Sequence, residues 1–209
     1  MGLVVSGKDN SEYVLVPPGS HIGRIYQIVD LGVQKGGEYL GAVVADHVKI
    51  HIGLELPEEI MDSGKPMVIS RSFKASFHKK ANLRKFIQGM LGKTFPDNHL
   101  FDVNSLIGHA CMINVVHVPR TDDPQKMRAV IESASPVPKG LVCKPPINPP
   151  VILDLDEFDP KAYAALPEWV QKKINRSGVL LPGVMATAEK AITLPKANPS
   201  ATFDDLADL

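Results

Sequence analysis

The chain has 209 residues, 44% of them hydrophobic, and 23 basic side chains balanced by 23 acidic ones. That is enough apolar material for one sizeable domain with extensions, and neutrality excludes wrapping of a polyanion by the whole surface, so such binding has to come from one polarised face. No apolar run approaches the length of a membrane span, no basic-then-apolar leader opens the sequence, and Cys111 and Cys143 make neither a disulfide framework nor a CxxC pair; the expectation is a soluble cytoplasmic protein without membrane contact.

Residues 1–19 predict an N-terminal arm or edge strand, in which Val14-Leu15-Val16 is stopped by Pro17-Pro18-Gly19. His21 to Gln34 reads as a long strand with imperfect alternation of Ile22, Ile25, Tyr26, Ile28, Val29 and Leu31; a bulge, or burial on both faces, would account for the adjacent apolar pairs. Lys35-Gly36-Gly37-Glu38 is a hairpin signal, and Tyr39 follows on its far side. Val48, Ile50, Ile52, Leu54 and Leu56 then alternate with His47, Lys49, His51, Gly53 and Glu55, which predicts a half-buried antiparallel strand ended by Pro57. Met67 to Phe77 is a third strand. Met67, Ile69, Arg71, Phe73, Ala75 and Phe77 share one face, Val68, Ser70, Ser72, Lys74 and Ser76 the other, and neither is purely apolar.

The period then changes. Leu83, Phe86, Ile87, Met90 and Leu91 form one apolar helical stripe, closed by Gly92. Asp102 can cap a short helix over Val103 to Ile107. His109 to Val118, apolar nearly throughout, predicts a central fourth strand, and Met127 to Ser133 a fifth. Prolines crowd into residues 136–150, an extended linker chemistry. Val151 to Leu155 predicts a short strand, Asp159-Pro160 a helix start with Phe158 and Tyr163 as its staple, and Pro167 a second helix with Trp169, Val170 and Ile174 on its apolar side. Residues 178–209 are weakly patterned and end in an acidic tip with apolar anchors, Phe203-Asp204-Asp205-Leu206-Ala207-Asp208-Leu209.

One stretch stands apart. Lys65, Arg71, Lys74, Lys79, Lys80, Arg84, Lys85 and Lys93 are eight cations in a run with no acid between Asp62 and Asp97. Phe73, Phe77 and Phe86 are interleaved with them. A single-stranded nucleic-acid groove needs this mixture, cations for phosphates and rings for bases; a merely solvated charged face is the alternative. His78, Lys79 and Lys80 also stand where the predicted helix begins, against its dipole.

Five short antiparallel strands with a helix between the third and fourth predict a small closed barrel of the OB type. The chain thus divides into the arm (1–19), an OB-fold domain (20–135), a Pro-rich segment with helices packing on the barrel (136–177) and a flexible tail (178–209).

At this level the chain resembles the OB-fold single-stranded DNA-binding proteins of tailed bacteriophages. The resemblance is carried by Arg24-Ile25-Tyr26-Gln27-Ile28-Val29-Asp30-Leu31-Gly32, Lys65-Pro66-Met67-Val68-Ile69-Ser70, Ser76-Phe77-His78-Lys79-Lys80-Ala81-Asn82-Leu83-Arg84-Lys85 and Leu166-Pro167-Glu168-Trp169-Val170, in that order. It implies coating and protection of unpaired DNA in phage replication or recombination, in the host cell cytoplasm, without catalysis or cofactor. The tip is similar to the acidic tails by which such proteins recruit replication or recombination proteins, although it lacks the Pro-Phe ending of the bacterial pattern. The tail residues assigned to a partner are Phe203, Asp204, Asp205, Leu206, Asp208 and Leu209, which can also compete for the groove as phosphate mimics.

For the DNA site the expected stacking rings are Tyr26, Tyr39 and Phe73, with Phe77 better suited to the core. The expected phosphate contacts are Lys49, Arg71, Lys74, Lys79, Lys80, Arg84 and Lys85, with Arg24 and Arg128 in reserve. The sequence leaves a homodimer open.

Two rivals belong to other classes. Asp154, Asp156, Glu157 and Asp159 could hold a divalent ion for a nuclease, although acids beside a helix start are commonly caps. His47 and His51 share a strand face but lack a third ligand nearby, so no metal site is expected. The other rival is an OB-fold protein-interaction adaptor, with the Pro-rich segment and tail as docking strips.

Overall fold

The computed structural model describes residues 14–39 and 41–178, without the side chains of Glu38, Tyr39 and Ala42. The acidic tip and most of the predicted arm and tail lie outside the described residues.

The first strand, β1, runs Gly19–Gln34. Its ladder with the fourth strand shifts register between Ile25 and Gln27 and again between Asp30 and Val33. Each shift moves apolar side chains to the opposite face, so β1 is both bulged and buried on two sides. Ile25 and Ile28 join the main core, whereas Val29 and Leu31 join a second cluster. The connection onward is longer than the Gly-Gly signal implied: β2 (Glu38–Tyr39) and β3 (Ala42–Val43) pair with each other as a separate two-stranded ribbon. Asp46 ties off its base through Lys35 Nζ at 2.8 Å and Gly36 N–H at 2.9 Å.

Next, β4 spans His47–Ile60. It continues past Pro57, which the sequence marked as its end. The ladder with β5 (Pro66–Lys74) is irregular between Leu56 and Ile60, and an irregularity is where a strand can hold a residue lacking an N–H. The middle of β4 is buried on both faces rather than one. Ile52, Leu54 and Leu56 point into the core, while on the other face His51 meets Trp169, Glu55 meets Ile147 and Asn148, and Gly53 lies against Tyr26 and Gln27 of β1.

A helix, α1 (Asn82–Leu91), lies between β5 and the next strand. Leu83, Phe86, Ile87 and Met90 bury its stripe against the sheet, and Gly92 ends it in the left-handed conformation at φ 62°. A 3-10 turn at Val103–Leu106 is capped by Asp102, whose carboxylate accepts from Asn104 N–H. Then come β6 (Ala110–Pro119) and β7 (Met127–Ser135), antiparallel to each other. The sheet order is β5-β4-β1-β6-β7, and β8 (Val151–Leu153) adds to β1 in parallel. The fold is therefore mainly β.

The barrel expected to close does not close through a ladder. β5 and β7 remain the two edges of the path. The Arg71 guanidinium bridges them instead, donating to Ile131 O at 2.8 Å and Glu132 O at 3.3 Å. Further along, Val16 is buried in the same core, and His117 Nε2 lies 2.8 Å from Val16 O. The end of the N-terminal segment thus packs beside the open seam.

After β7 the chain crosses the outside of the sheet. Glu55, fully buried, accepts from the N–H groups of Ile147 and Asn148 at 3.0 and 2.8 Å and from the Asn148 side-chain amide at 2.9 Å. This buried carboxylate anchors the proline-rich crossing, because Pro residues supply no N–H and these few donors carry the polar contact. Two helices follow, α2 (Pro160–Ala164), capped by Asp159, and α3 (Glu168–Arg176). Leu166, Val170 and Ile174 seal Val29, Leu31 and Leu153 beneath them. Among the described residues no helix is long and apolar enough to cross a membrane.

Candidate nucleic-acid interface

The alternating pattern of β5 settles which face turns outward. Met67, Ile69 and Phe73 are buried, while Val68, Ser72 and Lys74 are exposed and Ser70 half-buried. Lys74 stands directly opposite Lys49 on the β4–β5 ladder. Like charges so placed repel, at a cost of roughly 0.2–1 kcal/mol, unless an anion lies between them.

The chain leaves β5 and turns into α1 through Ser76, His78 and Lys80. Arg71, Ser72, Phe73, Lys74, Ser76, His78, Lys80 and Asn82 line an open groove there of about 520 Å³. No acidic residue lines it. At its end is the α1 N-terminus, where Ala81 offers no side-chain cap and the first turn contains no acid. The exposed N–H groups of an uncapped first turn carry partial positive charge. Lys79, Lys80 and Lys85 are exposed around it, Lys79 within 3.8 Å of the Asp97 carboxylate. The conflict with the helix dipole foreseen in the sequence is therefore real, and the groove is a site suited to an anion.

The structure sorts the predicted residues into three groups. Lys74 and Lys80 line the groove, Lys49 is half-buried opposite Lys74 on the ladder, and Lys79 and Lys85 are exposed, just before and within the first turn of α1. Phe73 and Arg84 are buried, although Phe73 is among the residues lining the groove. Phe73 is 3% exposed and packs on Phe86 with ring centroids 5.0 Å apart, because the inward face of β5 is the one its apolar majority selects. Arg84 is 3% exposed. Its guanidinium donates to the carbonyls of Phe77, Asp97 and Phe95 and so ties the loop after α1 to the end of β5. Its spacing carries a signal of this: Arg84 lies three residues before Ile87 and seven before Leu91, on the border of the apolar stripe. Arg71 is half-buried and committed to the seam between β5 and β7, and burial lowers its pKa.

Tyr26 and Tyr39 form the third group. Tyr26 is half-buried on the outer side of β1, and burial, with the Glu55 carboxylate adding to it, raises its phenol above the ordinary value near 10. It lies against Gly53, where a Cβ would come 3.3 Å from the Tyr26 ring and 3.1 Å from Gln27 Cβ. The ring of Tyr39 lies outside the described residues, although its backbone is in β2. Of the reserve candidates, Arg24 donates to Gly108 O at 2.7 Å and Lys144 O at 3.1 Å as a brace, and Arg128 is exposed. Phe77 belongs to a half-buried aromatic cluster, stacked on Phe101 at 5.2 Å.

Around the nuclease candidates the acids serve the backbone. Asp154 accepts from Asp156 N–H at 2.9 Å and Asp159 from Lys161 N–H at 2.8 Å. Among the described residues no three His, Cys, Asp or Glu side chains come together as a cation set.

His51, beside the site, is 2% exposed, with Nδ1 3.1 Å from Ser72 Oγ. The Trp169 ring from α3 covers it at 5.1 Å, edge to face. Burial, then the nearby Lys173 ammonium, pushes its pKa down to about 4. In the unfolded chain it titrates near 6.5, so at pH above that value both states are neutral and the group has no effect. As pH falls from 6.5 to 4 only the unfolded state takes up the proton, and stability drops by roughly 3 kcal/mol in total. Urea denaturation at pH 7.5 and pH 4.5 is expected to show a steeper loss for the wild type than for His51→Gln; equal losses would refute the buried neutral imidazole.

No family model matches the chain, and no curated protein matches it either.

Proposed function

We propose that the chain binds single-stranded DNA, without catalysis, by laying the strand along the outer face of β5 and into the basic groove at the start of α1. The observation that carries this is the acid-free groove lined by Lys74, His78 and Lys80, with Lys49 facing Lys74 beside it. Lys74 and Lys80 in the groove, Lys49 opposite Lys74 and an α1 start without a side-chain cap come together in a chain whose net charge is zero. Backbone phosphates supply the missing counter-charge.

The strand order supports an OB-type barrel as the scaffold: β1 is shared by β4 and β6, α1 connects β5 to β6, and Arg71 spans the seam. In this reading the protein coats unpaired DNA as the phage single-strand binders it resembles do, and the tip Phe203 to Leu209 recruits replication or recombination proteins. A duplex is disfavoured because no recognition-helix motif accompanies the basic run in the sequence.

Titration with oligo-dT, oligo-rU and a matched duplex at two salt concentrations tests the proposal. With about four to six phosphates neutralised, log affinity for oligo-dT should fall against log salt with a slope of roughly −3 to −4. Duplex should bind more weakly. An affinity that ignores salt, or a preference for duplex, would rule the reading out.

A further inference from the structure

The single tryptophan of this chain lies outside its core. Trp169 is 45% exposed, off the line joining Val170 and Ile174, which face the sheet. It forms one wall of a cleft of about 220 Å³ against the outer face of the sheet. Tyr26, Gln27, His51, Ser70 and Arg128 contribute to the other walls. A second opening of about 440 Å³, beside the turn between β6 and β7, shares Arg128 and Trp169 with it.

We propose that this cleft is a nucleobase subsite in which Trp169, supplied by the C-terminal helix, is the principal stacking ring. The inference rests on the single-strand reading above and deepens it. Three observations carry it. First, the cleft has the composition such a site needs: a half-exposed indole, a phenol beside it, and the half-buried Ser70 hydroxyl, which can meet a base edge.

Second, cations stand at the rim. Arg120 is held by Asp122, with Nε and Nη2 2.9 and 2.6 Å from the carboxylate. Arg128, by contrast, is exposed and enters no ion pair among the described residues. Lys173 places its ammonium 5.2 Å from the centre of the Trp169 ring. A ring that attracts a cation has the electron-rich face that base stacking also uses.

Third, the cleft and the basic groove take neighbouring residues of the same strand. Ser70 lines the cleft, and Ser72 and Lys74, two and four residues on, line the groove. Alternate residues of one strand share a face, so β5 offers a track of small hydroxyl side chains from one subsite to the other. The Pro-rich crossing and helices α2 and α3 then have a direct role: they place the stacking ring at the end of that track.

The wild-type protein itself provides the test, because Trp169 is the only tryptophan and its fluorescence reports on its own surroundings. Oligo-dT is expected to quench it, and an abasic oligomer of equal length and charge to leave it nearly unchanged. Trp169→Ala should lower oligo-dT affinity about tenfold, leave abasic affinity and the salt slope unchanged, and be largely rescued by Trp169→Phe. If oligo-dT binds with the full salt slope but neither quenches Trp169 nor weakens in Trp169→Ala, the subsite is overturned while the basic groove stands. If oligo-dT is not retained even at low salt, the single-strand reading falls, and the subsite with it.

Discussion

Replacing Arg84 with methionine is expected to destabilise the fold by about 3 kcal/mol or more, while replacing its neighbour Lys85 in the same way should change stability by less than about 0.5 kcal/mol. The two cations are adjacent in the sequence and opposite in circumstance. The Arg84 guanidinium is buried, donates to the carbonyls of Phe77, Phe95 and Asp97, and lies over the Phe77 ring at 5.4 Å. Methionine fills a similar volume but donates nothing, so three carbonyls lose a charged donor in a place water reaches poorly. Acceptors stranded in this way cost roughly 1–3 kcal/mol each before relaxation. The loop carrying Phe95, His99 and Phe101 is joined to the end of β5 by these bonds, and it should loosen first. Thermal and urea denaturation of the two variants would check this. An Arg84→Met protein as stable as Lys85→Met would mean that the guanidinium is dispensable. Oligo-dT affinity measured well below the melting temperature should be unaffected by Arg84→Met, since the group is out of reach of a surface ligand.

That pair also marks the boundary of what the sequence discloses. The succession of the main strands along the chain, the helix between β5 and β6 and the capping residues Asp102 and Asp159 follow from local chemistry, namely alternation, a helical stripe and side-chain oxygens next to orphan N–H groups. The exposed lysines of the groove were legible for the same reason, because ammonium groups seldom enter a core without a partner. Arginine is different: its flat, five-donor head can serve buried carbonyls, as Arg84 does, or span a seam, as Arg71 does, and composition cannot distinguish either use from a phosphate contact. Phe73 followed the face chosen by Met67 and Ile69. The double burial of β4 was hidden because the groups that cover Glu55 and His51, Ile147-Asn148 and Trp169, come about a hundred residues later. For Trp169 the same long-range packing decides whether an indole on an amphipathic helix is core or surface.

Reversing the charge of Lys74 and Lys80 together is expected to weaken oligo-dT binding by roughly 100-fold at moderate salt and to make the salt slope shallower by about 1.4, the contribution of two phosphates. Both side chains are exposed and line the groove, and neither appears in an ion pair among the described residues. Nothing in the fold therefore depends on them. Lys74→Glu would even remove the repulsion from Lys49 across the ladder, so Lys74→Glu/Lys80→Glu should melt at or slightly above the wild-type temperature. This separation of stability from affinity gives the experiment its force. A cation retained for the fold would lower both together, whereas one retained for a ligand lowers affinity alone. The control is reversal of Lys126, exposed on the turn after β6 and already paired with Asp123 at 3.3 Å, which should leave binding within about twofold. If Lys126→Glu weakens binding as much as the groove pair does, attraction is a property of total charge and the groove has no special claim. If the groove pair alone matters and the melting temperature holds, the like-charged lysines facing one another on β4 and β5 are explained by the polyanion that lies between them.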